Sequence, residues 1–318
     1  MSALAVVVEA PEKLNFRKLQ LTPPADDDVV VDIAFSGIST GTERLLWTGD
    51  MPPFPGMGYP LVPGYESVGR IVDAGPRSQR QAGQLVFVPG ARCYGEVRGL
   101  FGGAASRVVV SGQRTFAISD ELAERGVLLA LAATAHNAIR APEGGYRIPE
   151  LIIGHGVLGR LLARLTLALG NKPPVVWETD PQRRLGEEPY PVIDPDGDPE
   201  FGYHAIYDAS GADDILDLLI ERLAPGGEVV LAGFYHRPLQ FAFPPAFMRQ
   251  ARLRVAAEWK DQDLVAVDRL IQTGALSLDG LITHCESADR AQTAYRRAFS
   301  DPDCLKMVLD WRSLQSVG

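Results

Sequence analysis

The chain has 318 residues, of which 46% are apolar and 22% charged, and a net charge of −9. That length predicts two domains with apolar residues enough for their cores, and the acidic balance speaks against nucleic acid or an anionic membrane surface as the main partner. Three scattered cysteines, Cys93, Cys285 and Cys304, offer neither a disulfide framework nor a Cys-x-x-Cys metal pair, and the longest apolar run, residues 127–135, is too short to span a bilayer.

Residues 1–16 read as a first strand and not as a signal peptide, so a cytoplasmic protein is expected. Further strands are predicted over 29–35, 67–72, 85–88, 106–110 and 115–118, with Gly and Pro between them. This first region reads as all-β and barrel-like. The segment 48–63 is too rich in proline for a helix. It is a long loop, either functional or a plain surface connection. Helical periodicity begins at residue 121 and runs to 140. Strands over 151–153, 175–177, 205–207 and 228–232 then alternate with helices over 160–169 and 213–223, the pattern of a parallel sheet. Two more strands are expected near 241–243 and 253–257, helices over 264–273 and 289–299, and a closing strand over 306–311. The predicted organisation is a β-rich domain over 1–122, a nucleotide domain over 123–260, and a return over 261–318 that completes the first domain.

One stretch carries a specific chemistry: Leu151-Ile152-Ile153-Gly154-His155-Gly156-Val157-Leu158-Gly159. Gly154 permits a tight strand-to-helix turn, Gly156 lets backbone approach a pyrophosphate, and Gly159 lets the helix pack close to the sheet. The amides around His155, Val157 and Leu158 then face phosphate at a helix N-terminus. About twenty residues on, Glu178 ends a second strand, placed to accept from a ribose diol and to favour NAD over NADP. Arg183 and Arg184 follow it, either stacking on adenine, meeting a 2′-phosphate or forming an exposed basic pair.

Together with Pro60-Leu61-Val62-Pro63-Gly64-Tyr65-Glu66-Ser67-Val68-Gly69, Tyr207-Asp208-Ala209-Ser210-Gly211 and Pro225-Gly226-Gly227-Glu228-Val229-Val230-Leu231-Ala232-Gly233, this stretch resembles the medium-chain dehydrogenase/reductase superfamily along nearly the whole chain. The resemblance implies an α/β fold, a Rossmann doubly wound parallel sheet plus a GroES-like β-barrel catalytic domain. It also implies cofactor contacts from Thr134, Ser210, Gly211 and Gly233. A narrower likeness lies in Phe35-Ser36-Gly37-Ile38-Ser39-Thr40-Gly41-Thr42-Glu43 and Met51-Pro52-Pro53-Phe54-Pro55-Gly56-Met57-Gly58-Tyr59-Pro60. These resemble a dehydrogenase family of bacteriochlorophyll biosynthesis, which oxidises the hydroxyethyl group of a bacteriochlorophyllide to acetyl with NAD. The superfamily often extends a sheet across two subunits, so a homodimer through the strand at 228–233 and its neighbours is an open expectation. Two other readings stay open: a zinc-free quinone or enone reductase, usually with NADPH, which Glu178 speaks against, and a non-enzymatic NAD- or pigment-binding protein.

In zinc-dependent members the metal polarises the substrate alcohol. At the corresponding places stand Ser39, Tyr65 and the surroundings of Ala130, with only Glu66 kept, so no metal is expected. A hydroxyl or base must then hold the developing alkoxide. Tyr65 is the first candidate, against a packing tyrosine. His136 is a candidate proton relay, against a helix-surface or domain-interface histidine. Ser39 and Thr42 either bond substrate or ribose, or make turn bonds; Glu66 either orients its neighbours or forms an internal salt bridge. His155 serves the phosphate loop and not the chemistry. His204, His236 and His284 show no metal spacing. Trp47, Phe54, Met57 and Tyr59 are expected to wall a large flat macrocycle, unless the loop simply packs on its own barrel.

Overall fold

The computed structural model describes residues 1–53 and 55–317, so Phe54 lies outside the described residues. The chain divides into two units, Met1–Ala130 with Leu278–Gly318, and Leu131–Ser277.

The first unit opens with β1 (Ser2–Ala10) and β2 (Lys13–Gln20) as an antiparallel hairpin. β2 escapes sequence reading because it is a charged edge strand that buries only Leu14 and Leu19. The long β3 (Asp28–Ile38) leads into α1 (Thr42–Thr48), a helix not anticipated from sequence, which stops at Gly49 in the left-handed region (φ 86). Then follow β4 (Leu61–Val62), β5 (Ser67–Ala74), β6 (Leu85–Val88), β7 (Arg98–Gly99), β8 (Arg107–Ser111) and β9 (Phe116–Ala117). β2, β1, β4 and β7 form one sheet. The helical stretch expected over 121–140 is two pieces: short-pitch turns over Asp120–Leu128, interrupted at Ala123 (φ 44), then α2 (Leu129–Ile139).

The second unit is built on six parallel strands: β10 (Leu151–Ile153), β11 (Val175–Trp177), β12 (Val192–Ile193), β13 (Tyr203–Asp208), β14 (Leu223–Leu231) and β15 (Arg252–Val255). Their spatial order is β12-β11-β10-β13-β14-β15, the doubly wound arrangement whose order reverses between β10 and β13. β10 is buried at all three residues, which is why it reads as an unbroken apolar run and not an alternation. α3 (Val157–Ala168) and α4 (Leu216–Arg222) supply apolar faces to this unit. The turn expected at Pro225-Gly226-Gly227 lies inside β14, where the register against β13 shifts. The strand expected near 241–243 is absent: Phe243 begins α5 (Phe243–Arg249), with proline in the first turn, where its missing N–H costs nothing.

α6 (Asp261–Gln272) belongs to this second unit and not to the return. The boundaries expected at 122/123 and 260/261 therefore fall at 130/131 and 277/278. The physical reason is a tertiary bond no local pattern reveals: Asp263 accepts from Asn137 and pairs with His136 on α2. The return itself comprises β16 (His284–Ser287), α7 (Ala291–Ser300) and β17 (Met307–Asp310). β17 pairs antiparallel with β3, extending a sheet ordered β16-β17-β3-β5-β6-β9, with β8 also on β3.

Candidate functional site

In the second unit the cofactor candidates converge at the C-terminal ends of β10, β13 and β14. Gly154 takes φ 91 directly after β10, and a Cβ there would sit 3.2 Å from Ser210 Cα. A Cβ at Gly233 would lie 3.1 Å from Gly211 N. A Cβ at Gly159 would run into the carbonyl oxygen of Gly154, whereas one at Gly156 would meet open space. The three glycines thus divide their work: two are demanded by the fold, and Gly156, which precedes α3 at its N-terminus, leaves room for something outside it.

Glu178 is 8% exposed; its Oε2 accepts from His155 N (2.9 Å) and its Oε1 from Asp180 N (2.9 Å). Each oxygen retains a lone pair for a further donor. His155 is fully buried, with its ring between the Arg183 carbonyl (2.8 Å) and the Tyr190 hydroxyl (3.2 Å). The carbonyl only accepts, so Nδ1 donates and Nε2 accepts, and burial lowers the imidazole pKa, keeping it neutral. It braces the glycine loop, and does not point to solvent. Arg184 is spent on Asp194 (2.7 Å) and on the carbonyls of Glu178 and Thr179, and both Arg183 and Arg184 are half-buried, so they do not form an exposed basic pair. Ser210 donates its hydroxyl to Asp208 (2.6 Å), closing a local turn. Thr134 lies half-buried on α2, and Val157 and Leu158 form the first turn of α3.

In the first unit the register of β3 against β5 pairs Ser36 with Ser67, and Gly37 N donates to Glu66 O (2.8 Å). The end of β3 and the start of β5 therefore lie side by side, and Ser39 Oγ meets Tyr65 Oη at 2.8 Å. Tyr65 is half-buried and its ring packs edge-on against Phe101. Burial, with Glu66 next to it, pushes its phenol well above the usual value. Beneath it lie two groups that sequence reading missed as site residues. Lys306 Nζ contacts Glu66 Oε2 (2.7 Å) and Ile38 O (3.2 Å). Glu43 accepts from Ser39 N (3.1 Å) and from the Tyr295 hydroxyl (2.6 Å). Burial raises the Glu43 carboxyl to about 7, against the effect of those two bonds. The signal for Lys306 was a charge directly ahead of the apolar run Met307-Val308-Leu309.

Of the two roles open to Glu66, the structure gives the salt bridge. Its Oε2 occupies the space a side chain at Gly37 would need, and its Oε1 has no partner among the described residues. The donors at the positions a catalytic zinc would use do not suit it. Ser39 and Tyr65 are neutral hydroxyls bonded to each other, and the one carboxylate is paired with an ammonium; zinc takes thiolate, imidazole or free carboxylate.

Two expectations are corrected. His136 is 3% exposed and has both ring nitrogens engaged, with Asp263 (2.8 Å) and the Tyr146 hydroxyl (3.3 Å). It is not a helix-surface histidine; its bond to Asp263 fastens α2 to α6. Trp47 is 7% exposed and packs against Tyr295 and Phe299 in the barrel core, so it is not a wall for a ligand. Tyr59 and Met57 are half-buried and rest on the cluster of Val8, Leu46, Met51, Leu61 and Leu100, with the Tyr59 hydroxyl donating to Leu46 O. The proline-rich loop is therefore anchored on its own barrel.

Residues 25–120 match the alcohol dehydrogenase GroES-like domain. The chain is 56% identical over 313 residues to the 2-desacetyl-2-hydroxyethyl bacteriochlorophyllide A dehydrogenase of Rhodobacter capsulatus, covering 98% of this chain and 99% of that one. It is 55% identical to the protein of the same name from Cereibacter sphaeroides, with the same coverage. Among solved structures, the 2R,3R-butanediol dehydrogenase of Bacillus subtilis superposes with a TM-score of 0.82 at 19% identity, over 97% of this chain and 99% of that one, a likeness of fold.

Proposed function

The chain is an alcohol-type oxidoreductase of the medium-chain dehydrogenase/reductase superfamily, in one family with these two bacterial enzymes, and from that membership we propose that it oxidises the hydroxyethyl group of a bacteriochlorophyllide to acetyl, with NAD and without catalytic zinc. The observation that carries the reading is the near-full-length identity to the two named dehydrogenases.

When bound, NAD supplies the hydride acceptor. Gly154, Gly156 and Gly159 shape the turn for its pyrophosphate, the amides of His155, Val157 and Leu158 face the phosphates, and Ser210, Gly211, Gly233 and Thr134 line the same strand ends and α2. The carboxylate of Glu178 accepts from the ribose diol and repels a 2′-phosphate. Tyr65 then holds the substrate oxygen. Its raised pKa keeps the phenol neutral, so it acts as a hydrogen-bonding hydroxyl that takes the alcohol proton as it hands its own to Ser39, which in turn releases one to water, and not as a phenolate base. Glu66 and Lys306 set the end of β3 against β5 and so position that hydroxyl pair. Met57 and Tyr59, anchored on the barrel but only half-buried, offer their remaining apolar surface to the pigment.

Two further parts of the reading concern the molecule's surroundings. A homodimer forms across β15: this edge strand leaves Leu253 40% and Val255 75% exposed, beside Phe243 and Phe247 on α5. Val255→Asp converts the dimer to monomer in sedimentation if that edge is the contact. A cytoplasmic location fits three free cysteines, one of them exposed. Among the described residues no helix is long and apolar enough to cross a membrane.

The function is tested by mixing the protein with NAD and the hydroxyethyl pigment and following the absorption spectrum. A red shift of the long-wavelength band as NADH appears, unchanged by chelators in metal-free protein, is the expected result. No shift with protein that binds NAD discards the substrate; a shift lost on chelation discards the zinc-free reading.

A further inference from the structure

A cavity of about 240 Å³ in the first unit is lined by Gly56, Arg92, Tyr94, Val97, Arg98 and Leu100. It lies where β7 joins the proline-rich loop. Arg92 and Arg98 are both exposed, and among the described residues neither has a carboxylate within ion-pair distance; Glu96, the acid between them in sequence, pairs with neither. In a chain of net charge −9, two guanidinium groups without an ion-pair partner among the described residues share this one cavity, where an anion would meet donors and opposite charge.

The Arg98 guanidinium is also placed, not merely dangling. It lies over Gly58, where a Cβ would come within 3.0 Å of its Cζ, and its Nη1 reaches toward Tyr59 O (3.4 Å). Gly58 holds φ 151, a conformation that suits glycine. Tyr94 stiffens the cavity floor by donating its hydroxyl to Gly102 O. The wall residue Leu100 precedes Phe101, whose ring packs on Tyr65, and Leu100 N is held by Val62 O. One continuous stretch of backbone thus joins the cationic cavity to the hydroxyl pair.

We propose that Arg98, with Arg92, binds the free propionate carboxylate of the pigment and makes the enzyme selective for the acid over its esters. The inference rests on the substrate reading above. A bacteriochlorophyllide is a free acid whose carboxylate and hydroxyethyl group sit on different rings, so one contact can orient the macrocycle while the other end reacts. A guanidinium suits a carboxylate because its planar fork offers two parallel N–H donors.

The test compares the free-acid pigment with its propionate methyl ester at saturating NAD, in the unaltered enzyme and in Arg98→Gln, Arg92→Gln and Arg98→Lys. The expected result is a KM for the acid about tenfold below that for the ester, lost in Arg98→Gln through a rise in the acid KM alone. Ester turnover and NAD affinity stay unchanged in that variant, and Arg98→Lys recovers part of the preference. Equal KM values for acid and ester in the unaltered enzyme overturn the proposal, as does an Arg98→Gln variant that weakens both pigments equally. Turnover of neither pigment by protein that binds NAD overturns the substrate reading itself, and this inference with it.

Discussion

Lys306 and Glu66, 240 residues apart in sequence, meet at 2.7 Å with both side chains almost wholly buried. The pair locks the closing strand of the chain to the point where β3 ends and β5 begins, and Lys306 adds a bond to Ile38 O. A buried ion pair contributes little net stability over an apolar pair of the same shape, but stripping it of one partner leaves an uncompensated charge. Lys306→Met should therefore lower unfolding free energy by about 3–5 kcal/mol. Adding Glu66→Gln should recover most of that loss. Urea midpoints of the single and double variants measure it, and a double variant no more stable than the single one refutes the account.

Tyr65→Phe removes one hydroxyl and keeps the ring against Phe101. If that hydroxyl holds the reacting oxygen, kcat should fall by about 10²–10³-fold while the KM for NAD stays put. Ser39→Ala, which removes its partner at 2.8 Å, should show a smaller loss of the same kind. Steady-state kinetics decide it: an unaltered kcat in Tyr65→Phe places the chemistry elsewhere.

Glu43 makes stability depend on pH in a direction unusual for a carboxylate. Its folded pKa is raised from 4.5 to about 7, chiefly by burial. Between those values the folded state holds a proton that the unfolded state has released, so folding stability from this group is full below pH 4.5 and is lost as pH rises through about 7. Glu66 and Lys306 bear on the same carboxyl, as does the bond from Tyr295. The comparison is therefore with Glu43→Gln, which keeps a side chain able to accept from Ser39 N. The difference in melting temperature between the two proteins should shift in favour of Glu43→Gln as pH rises through that window; a constant difference rules it out.

Gly156 and Gly159 separate cofactor binding from folding. Gly156 has ordinary dihedrals and a Cβ there would meet open space, so Gly156→Ala should melt like the unaltered protein yet bind NAD at least about tenfold more weakly. Gly159→Ala drives a methyl into the Gly154 carbonyl and should destabilise the fold itself by about 1–3 kcal/mol. Calorimetry and NAD titration on both variants distinguish the roles, and equal behaviour of the two denies the division.

What the sequence determined by itself is local. The glycine turn, the acid at Glu178 and the alternation of strand and helix are each written within a few tens of residues, because backbone sterics, strand burial and helix ends are set by near neighbours. β2 and α1 stayed hidden for the complementary reason: a charged edge strand and a seven-residue helix bury too little to leave a pattern. The 241–243 segment misled because an aromatic run favours strand until two prolines in a helix's first turn are seen in place. Only the tertiary structure decided what surrounds Tyr65. The register of β3 on β5 brings Ser39 to it, and the return of the chain brings Lys306 to its neighbour Glu66 and Tyr295 to Glu43. It also decided that His136 is a strut and Trp47 a core residue. Ionisable groups acquire their roles from desolvation and from partners hundreds of residues away, and neither exists until the chain has closed on itself.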